Sequence, residues 1–123
     1  MQSGNNILVI DDSNTNVVLL EAILSTQGHS IQTALSIKEA LPIIKKQKPA
    51  LILLDLLMPE ISGYDFLAQM REDTYMKDIP VVVVSAVTDD ENIKMTKDLG
   101  AVEFITKPID IPHLIELVSK YVK

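Results

Sequence analysis

Five polar side chains that could support phosphoryl or metal chemistry each stand directly after a short apolar run. They are Asp11 and Asp12 after residues 7–10, Asp55 after 51–54, Ser85 after 81–84, and Lys107 after 104–106. Short apolar runs bounded by polar turns are typical of buried strands in a parallel sheet. Functional groups gather outside the carboxyl ends of such strands. We therefore expect all five side chains to meet at one edge of one sheet.

The three carboxylates at this edge predict a site for a hard divalent cation. Like charges held close together raise the pKa of at least one carboxyl group unless a cation offsets them. All-oxygen ligation favours Mg²⁺, which keeps room for waters and a phosphate. Lys107 then brings the formal charge of the ion and four side chains to zero, and Ser85 adds a hydroxyl donor. This arrangement suits phosphoryl transfer, in which one carboxylate can be the nucleophile and form an aspartyl phosphate.

The composition restricts the classes of function. The 123 residues fit one domain, residues 1–123, and 47% hydrophobic residues with a mean hydropathy of +0.22 argue against disorder. No apolar stretch approaches the roughly 20 residues of a transmembrane helix, and the first six residues lack the features of a secretory signal. Cysteine is absent, which removes disulfides and thiolate metal sites. With a net charge of −6, we expect a cytoplasmic protein that neither inserts into membranes nor binds nucleic acid directly.

Strand and helix patterns alternate along the whole chain. Strands are predicted at 7–10, 31–34, 51–54, 81–84 and 102–106, and helices at 14–27, 37–47, 63–71, 89–99 and 111–122. This alternation predicts a doubly wound α/β fold with helices on both faces of a five-stranded parallel sheet. The second strand is the most polar and is expected at an edge, whereas the first and third should flank the point where strand order reverses. The result is the flavodoxin-like (βα)5 fold with strand order 2-1-3-4-5.

Two predictions concern how helices begin. Thr88 with Glu91 fits a capping box at the start of the fourth helix. Pro42 lies inside the second helix, where it removes a hydrogen bond, and is expected to kink that helix or delay its start. The other start and stop signals are Ser36 with Glu39, Ser62, Asp110 with Pro112, Gly28 and Gly100.

With these residues the sequence resembles the receiver domains of bacterial two-component response regulators, such as the single-domain chemotaxis regulators. The resemblance covers residue 7 to about residue 122. It depends on Asp55 within the segment 54–59 followed by Gly63, and on the other four polar positions given above. It implies that Asp55 accepts a phosphoryl group from a histidine kinase or a histidine phosphotransfer protein. The downstream target is not indicated.

The resemblance also implies how the cofactor is held. Asp11, Asp12 and Asp55 are expected to bind Mg²⁺ together with the backbone carbonyl of Leu57. Asp12 is expected to bind the ion directly, and Asp11 mainly through a bound water.

A switch is implied by the remaining matched positions. Ser85 and Lys107 are expected to contact the phosphoryl group, and the Lys107–Pro108 peptide bond is expected to be cis. Phe104 corresponds to an aromatic switch that turns inward when Ser85 moves. The response should be read on the face formed by the fourth helix, fifth strand and fifth helix. The departures from the common pattern are serine for threonine at position 85 and phenylalanine for tyrosine at position 104.

The residues two positions beyond the phosphoacceptor and two beyond the hydroxyl residue tune the phosphoryl lifetime in this family. Here they are Leu57 and Val87, which cannot orient a water, so a long-lived phosphoryl group is expected. Simpler interpretations exist: both could be merely exposed apolar residues, Phe104 could be an ordinary core aromatic, and Asp11 with Asp12 could only cap a helix.

Two other function classes share this fold or this chemistry. A flavodoxin-type FMN carrier needs a small or glycine-rich phosphate loop after the first strand, where Asp11 and Asp12 stand instead. A Mg²⁺-dependent phosphohydrolase with an aspartyl nucleophile typically has a second acid two residues beyond it, where this chain has Leu57. The resemblance implies a signalling domain rather than an enzyme. The chain ends where the last helix should finish, which favours a stand-alone regulator. A receiver domain cut from a longer regulator or hybrid kinase is the alternative.

Overall fold

Strands and helices alternate throughout the part of the chain that the computed structural model describes, residues 6–58 and 60–122. The elements are β1 (Asn6–Ile10), α1 (Asn14–Ser25), β2 (Ser30–Ala34), α2 (Ile37–Lys46), β3 (Leu51–Leu54), α3 (Gly63–Arg71), β4 (Val81–Ser85), α4 (Asp90–Asp98), β5 (Glu103–Thr106) and α5 (Ile111–Tyr121). Every predicted element is present, with its ends within two residues of the prediction. Pro59 and residues 1–5 lie outside the described residues. Residues 1–5 belong to the segment in which the sequence shows no secretory signal.

All five strands are parallel and follow the order β2-β1-β3-β4-β5, which confirms the predicted topology. β1 pairs with β2 on one side and β3 on the other, so the strand order reverses at β1 and β3. β2 is an edge strand with exposed and half-buried residues in alternation. β3 and β4 are buried along their whole length.

The apolar runs are continuous because each strand contributes to two cores at once. Alternate strand residues face opposite sides of a sheet. In β1, Leu8 and Ile10 pack with α2 and α3 on one side. Ile7 and Val9 pack with α1 and α5 on the other. Because both faces are covered by helices, no position of a central strand is left for a polar residue until the strand ends.

The fourth helix begins one residue later than the capping box predicted. Its N-cap is Asp89 rather than Thr88, and Asp89 accepts a hydrogen bond from the backbone N–H of Asn92 at 3.2 Å. The Thr88–Glu91 prediction is therefore wrong. A carboxylate is favoured at this position because its negative charge lies at the positive end of the helix dipole. The other predicted N-caps are confirmed, and they are Ser36, Ser62 and Asp110.

Pro42 does not delay the second helix, which begins at Ile37 and runs through the proline to Lys46. Pro42 and Lys38, four residues before it, are both exposed. Water can therefore bond to the Lys38 carbonyl that the proline leaves without a helical donor. Among the described residues, the helices are too short and too polar to cross a membrane.

Candidate functional site

Sheet hydrogen bonds fix the predicted site residues at the carboxyl edge. The backbone N–H of Asp55 donates to the Ile10 carbonyl at 2.9 Å, and that of Lys107 donates to the Ser85 carbonyl at 2.9 Å. The N–H of Asp11 donates to the Ala34 carbonyl at 3.1 Å. The site residues thus continue the strand ladders by one position, which places their side chains on the rigid part of the fold.

The three aspartates form the cluster that the sequence predicted. Each of Asp11, Asp12 and Asp55 offers a carboxylate oxygen, and these oxygens lie within 4.8 Å of one another. Asp11 and Asp55 are buried, with 2% and 6% of their surface exposed, whereas Asp12 is exposed. The cluster therefore has a closed side at Asp11 and an open side at Asp12.

Lys107 brings a positive charge into the cluster. Its Nζ lies 3.0 Å from Asp11 Oδ2 and 3.9 Å from Asp55 Oδ1. The lysine side chain is 22% exposed, so the ammonium is partly withdrawn from water. The peptide bond that follows it, Lys107–Pro108, is cis as predicted.

Burial raises the pKa of Asp55 above its ordinary value of 3.8, mainly because the carboxylate loses water. In decreasing order of size, the Lys107 charge lowers the pKa of Asp55, the Asp11 charge raises it, the hydrogen bond from the Leu57 N–H lowers it, and the Asp12 charge raises it. That N–H donates to Asp55 Oδ1 at 3.4 Å. The attraction of Lys107 thus does not offset the combined effect of burial and two neighbouring carboxylates on the pKa of Asp55.

Two residues that the sequence reasoning missed hold Asp11. The backbone N–H of Ser13 donates to Asp11 Oδ1 at 2.9 Å, and the Asn16 side-chain amide donates to Asp11 Oδ2 at 3.3 Å. Ser13 is also the N-cap of α1 and accepts from the Asn16 backbone N–H. A serine at an N-cap followed three residues later by an amide side chain was a usable signal, because a polar side chain at the third helical position can reach back past the cap.

The donor set fits a hard divalent cation. It consists of oxygen atoms from carboxylates, which Mg²⁺ prefers. Among the described residues, the Asp12 side chain has no hydrogen-bond or ion-pair partner, whereas both Asp11 oxygens are occupied. Asp12 is thus the carboxylate most available to bind an ion directly, and Asp55 lies beside it.

Ser85 is the last residue of β4 and Val87 lies two residues after it, whereas Leu57 lies three residues after the end of β3. Ser85 is fully buried, and its Oγ accepts a hydrogen bond from the Val87 N–H at 3.3 Å. Leu57 is 57% exposed although it is apolar, and Val87 is half-buried. Neither of these two apolar side chains can donate a hydrogen bond to a water.

Phe104 lies on β5, half-buried, and packs against the core on the α2–α3 side of the sheet. It also lines a cleft of about 280 Å³ between α4 and α5. The cleft residues are Ile93, Lys97, Phe104, Ile105, Thr106, Pro108, Asp110 and His113. The predicted readout face therefore carries an open cleft with the aromatic residue in its wall.

The chain is similar to proteins of one family. Residues 7–119 match the model of the response regulator receiver domain. A Vibrio cholerae protein named a probable cyclic di-GMP phosphodiesterase is 34% identical over 117 residues, which is 95% of this chain but 26% of that protein. Protein PilH of Pseudomonas aeruginosa is 29% identical over 113 residues, 92% of this chain and 93% of PilH. The chain thus spans about a quarter of the first relative and nearly all of the second.

The fold has a near match among solved structures. A response regulator receiver protein from Pseudomonas putida superposes with a TM-score of 0.90 at 31% sequence identity. The match covers 98% of this chain and 99% of that one.

Proposed function

We propose that this chain, which belongs to the response regulator receiver domain family, is the phosphoacceptor module of a two-component phosphorelay. Asp55 would take the phosphoryl group from a histidine kinase or a histidine phosphotransfer protein. The observation that carries this proposal is the position of Asp55: a buried carboxylate at the end of a central strand, beside two other carboxylates and 3.9 Å from the Lys107 ammonium. We propose residues 1–123 as one receiver domain that works in the cytoplasm and binds no nucleic acid directly.

The transfer would exchange one bond to phosphorus for another. An Asp55 carboxylate oxygen attacks the phosphorus atom of a phosphohistidine, the new oxygen–phosphorus bond forms, and the bond to the imidazole nitrogen breaks. The imidazole leaves with the electron pair and takes up a proton. Lys107 and Ser85 would stabilise the charge that builds up on the phosphoryl oxygens.

Charge explains why the cofactor would be Mg²⁺. Three carboxylates and one ammonium leave a formal charge of −2 at the site. When bound, Mg²⁺ supplies the two positive charges that let a phosphate approach. Asp12, Asp55 and the Leu57 carbonyl would hold the ion directly, and Asp11 through a water, since both Asp11 oxygens are already occupied.

Incubation with Mg²⁺ and acetyl phosphate tests the phosphoacceptor. Intact-mass analysis should show one added phosphoryl group on the wild-type chain and none on Asp55→Asn. Asp65→Asn, a change of the same kind at an exposed position of α3, is the matched control and should be modified fully. Full modification of Asp55→Asn would refute the assignment.

A Mg²⁺ titration of two variants tests the ligand assignment. Asp12→Ala should weaken Mg²⁺ binding more than Asp11→Ala, because the Asp12 carboxylate has no hydrogen-bond or ion-pair partner among the described residues, whereas both Asp11 oxygens are occupied. The opposite ranking would show that Asp11 is the direct ligand.

The readout would be a population shift of the α4–β5–α5 face. Ser85 would move toward the phosphoryl group, and Phe104 would turn into the space it leaves. Amide NMR shifts with a beryllofluoride mimic should extend over residues 86–109. Shifts confined to the residues that touch the mimic would contradict the switch.

Leu57 and Val87 would give the phosphoryl group a long lifetime, because hydrolysis needs a water held in line with the oxygen–phosphorus bond. Losing such an orienting group can slow hydrolysis by about 10²-fold. The double substitution Leu57→Asn with Val87→Glu should therefore speed decay of the phosphorylated protein at similar Mg²⁺ affinity. An unchanged half-life would assign the lifetime to other residues.

A steady-state assay separates this function from that of an aspartyl phosphohydrolase. The chain should not turn over p-nitrophenyl phosphate faster than its own phosphoryl group decays. Sustained faster turnover, lost in Asp55→Asn, would replace the receiver assignment with an enzymatic one.

A further inference from the structure

The carboxylate of Asp11 is held by three donors. Oδ1 accepts the Ser13 N–H at 2.9 Å, and Oδ2 accepts both the Asn16 amide at 3.3 Å and the Lys107 ammonium at 3.0 Å. The Asp11 side chain is only 3% exposed, so water has little access to it. Each of these donors therefore matters to the carboxylate, because a buried charge without partners is strongly disfavoured.

Lys107 cannot serve two anions equally well. In the unphosphorylated protein its Nζ is nearer to Asp11 than to Asp55, at 3.0 Å against 3.9 Å. Under the proposed function, a phosphoryl group on Asp55 replaces the single carboxylate charge with about two negative charges, a net gain of about one beside the ammonium. The lysine is then drawn toward Asp55, and Asp11 Oδ2 loses its charged partner.

We propose that Asn16 is a positioning residue that keeps Asp11 Oδ2 paired when Lys107 turns to the phosphoryl group. This inference rests on the proposed function. Asn16 is suited to the task because it is held independently of the lysine: it is the third residue of α1, and its backbone N–H bonds to the Ser13 hydroxyl. A neutral amide can remain on the carboxylate in both states without competing for the charge of the phosphoryl group.

A double-mutant cycle on the metal-free protein tests the shared oxygen without any phosphorylation. Lys107→Met imitates the departure of the lysine. Asn16→Ala should raise the unfolding equilibrium constant about threefold in the wild-type background and at least about tenfold in the Lys107→Met background. Asn14→Ala, at an exposed position of the same helix, is the control and should show equal effects in both backgrounds. Equal effects of Asn16→Ala in both would overturn the proposal, since a purely structural asparagine would not sense the lysine.

Beryllofluoride binding with Mg²⁺ tests the same idea with single variants that retain Lys107. Asn16→Ala should weaken beryllofluoride binding by at least about threefold, the ratio between the tenfold cost of the lost hydrogen bond when the lysine has left Asp11 and the threefold cost while the lysine is present. Asn14→Ala should leave it within about twofold, and Asn16→Gln, which keeps the amide, should recover part of the loss. If the wild-type chain binds the mimic and Asn16→Ala binds it equally well, the role of Asn16 is refuted and the proposed function stands. If the wild-type chain does not bind it, the proposed function fails and the inference fails with it.

Discussion

Gly63 is the first residue of α3 and lies against the loop that follows β3, so Gly63→Ala should damage both stability and the site. A Cβ atom at position 63 would be 2.5 Å from the Asp55 carbonyl oxygen and 2.7 Å from the Leu56 Cα. Ordinary contact begins at 3.4 Å, so the first approach is too short by almost a full ångström. Both obstructing atoms are backbone, so no side-chain rotation relieves the overlap. The Gly63 N–H also donates to the Leu56 carbonyl at 2.9 Å, which ties the same two segments together.

Three contributions set the size of the effect. Overpacking in a closed site costs about 1–3 kcal/mol, and a backbone obstacle puts this case near the upper value. Weakening the bond to Leu56 adds about 1 kcal/mol. The better helix propensity of alanine returns only a few tenths of a kcal/mol, because Gly63 is the first residue of α3 and the full difference of about 1 kcal/mol applies to a helix interior. We therefore expect Gly63→Ala to lower the free energy of unfolding by about 3–4 kcal/mol, or the melting temperature by roughly 10–15 °C.

Urea unfolding of matched glycine variants tests this reasoning. Gly28→Ala is the control because nothing lies within 4 Å of its added Cβ, while its φ of +86° strains any other residue. It should cost about 1 kcal/mol from backbone strain alone. Folded Gly63→Ala should also accept phosphate from acetyl phosphate more slowly, because the displaced atoms carry Asp55, whereas Gly28→Ala should react at the wild-type rate. A Gly63→Ala protein as stable as Gly28→Ala, or one that reacts normally, would refute the contact argument.

Three further substitutions have outcomes that follow from single observations. Because burial raises the pKa of Asp55, Asp55→Asn without Mg²⁺ should stabilise the protein at pH 7. The gain should vanish below pH 3.8, the ordinary pKa, because the carboxyl group is then protonated in both the folded and the unfolded protein. An equal effect on urea unfolding at both pH values would contradict this sign. Glu60 has a φ of 66°, so Glu60→Gly should raise the free energy of unfolding by about 1 kcal/mol in the same assay, and a loss would show that the glutamate side chain compensates. Asp89→Ala should lower the urea midpoint, whereas Thr88→Ala should leave it unchanged, because Asp89 is the N-cap; the reverse would restore the original capping box.

The fold could be predicted from the sequence because two independent patterns agreed. The apolar runs predicted the strands, and the amphipathic stretches between them predicted helices. Strict alternation of strands and helices favours a parallel sheet with helices on both faces. The polarity of β2 identified the edge strand. Thr88 shows the limit of local patterns: threonine and aspartate are both good N-caps, and only the geometry of the chain leaving β4 decides between neighbours.

The charged members of the site were predictable for a different reason. Asp11, Asp55 and Lys107 are the residues that extend the strand ladders, so their meeting follows from the register of the sheet. Ser13 and Asn16 reach Asp11 through the first turn of α1, and the angle of that turn is set by how the helix packs. Sequence spacing alone therefore gave the charges of the cluster but not the hydrogen bonds that orient them.

The three aspartates differ in burial and are therefore suited to different roles. The Asp11 carboxylate is buried and both of its oxygens accept hydrogen bonds. It can therefore bind Lys107 but has little freedom to move toward a metal ion. Asp12 is exposed and can adjust to an ion that keeps several waters. Asp55 lies between these extremes: its raised pKa marks a carboxylate that its surroundings stabilise incompletely. A carboxylate in that condition gains most from an arriving cation, and this is why metal binding and reactivity at Asp55 should be coupled.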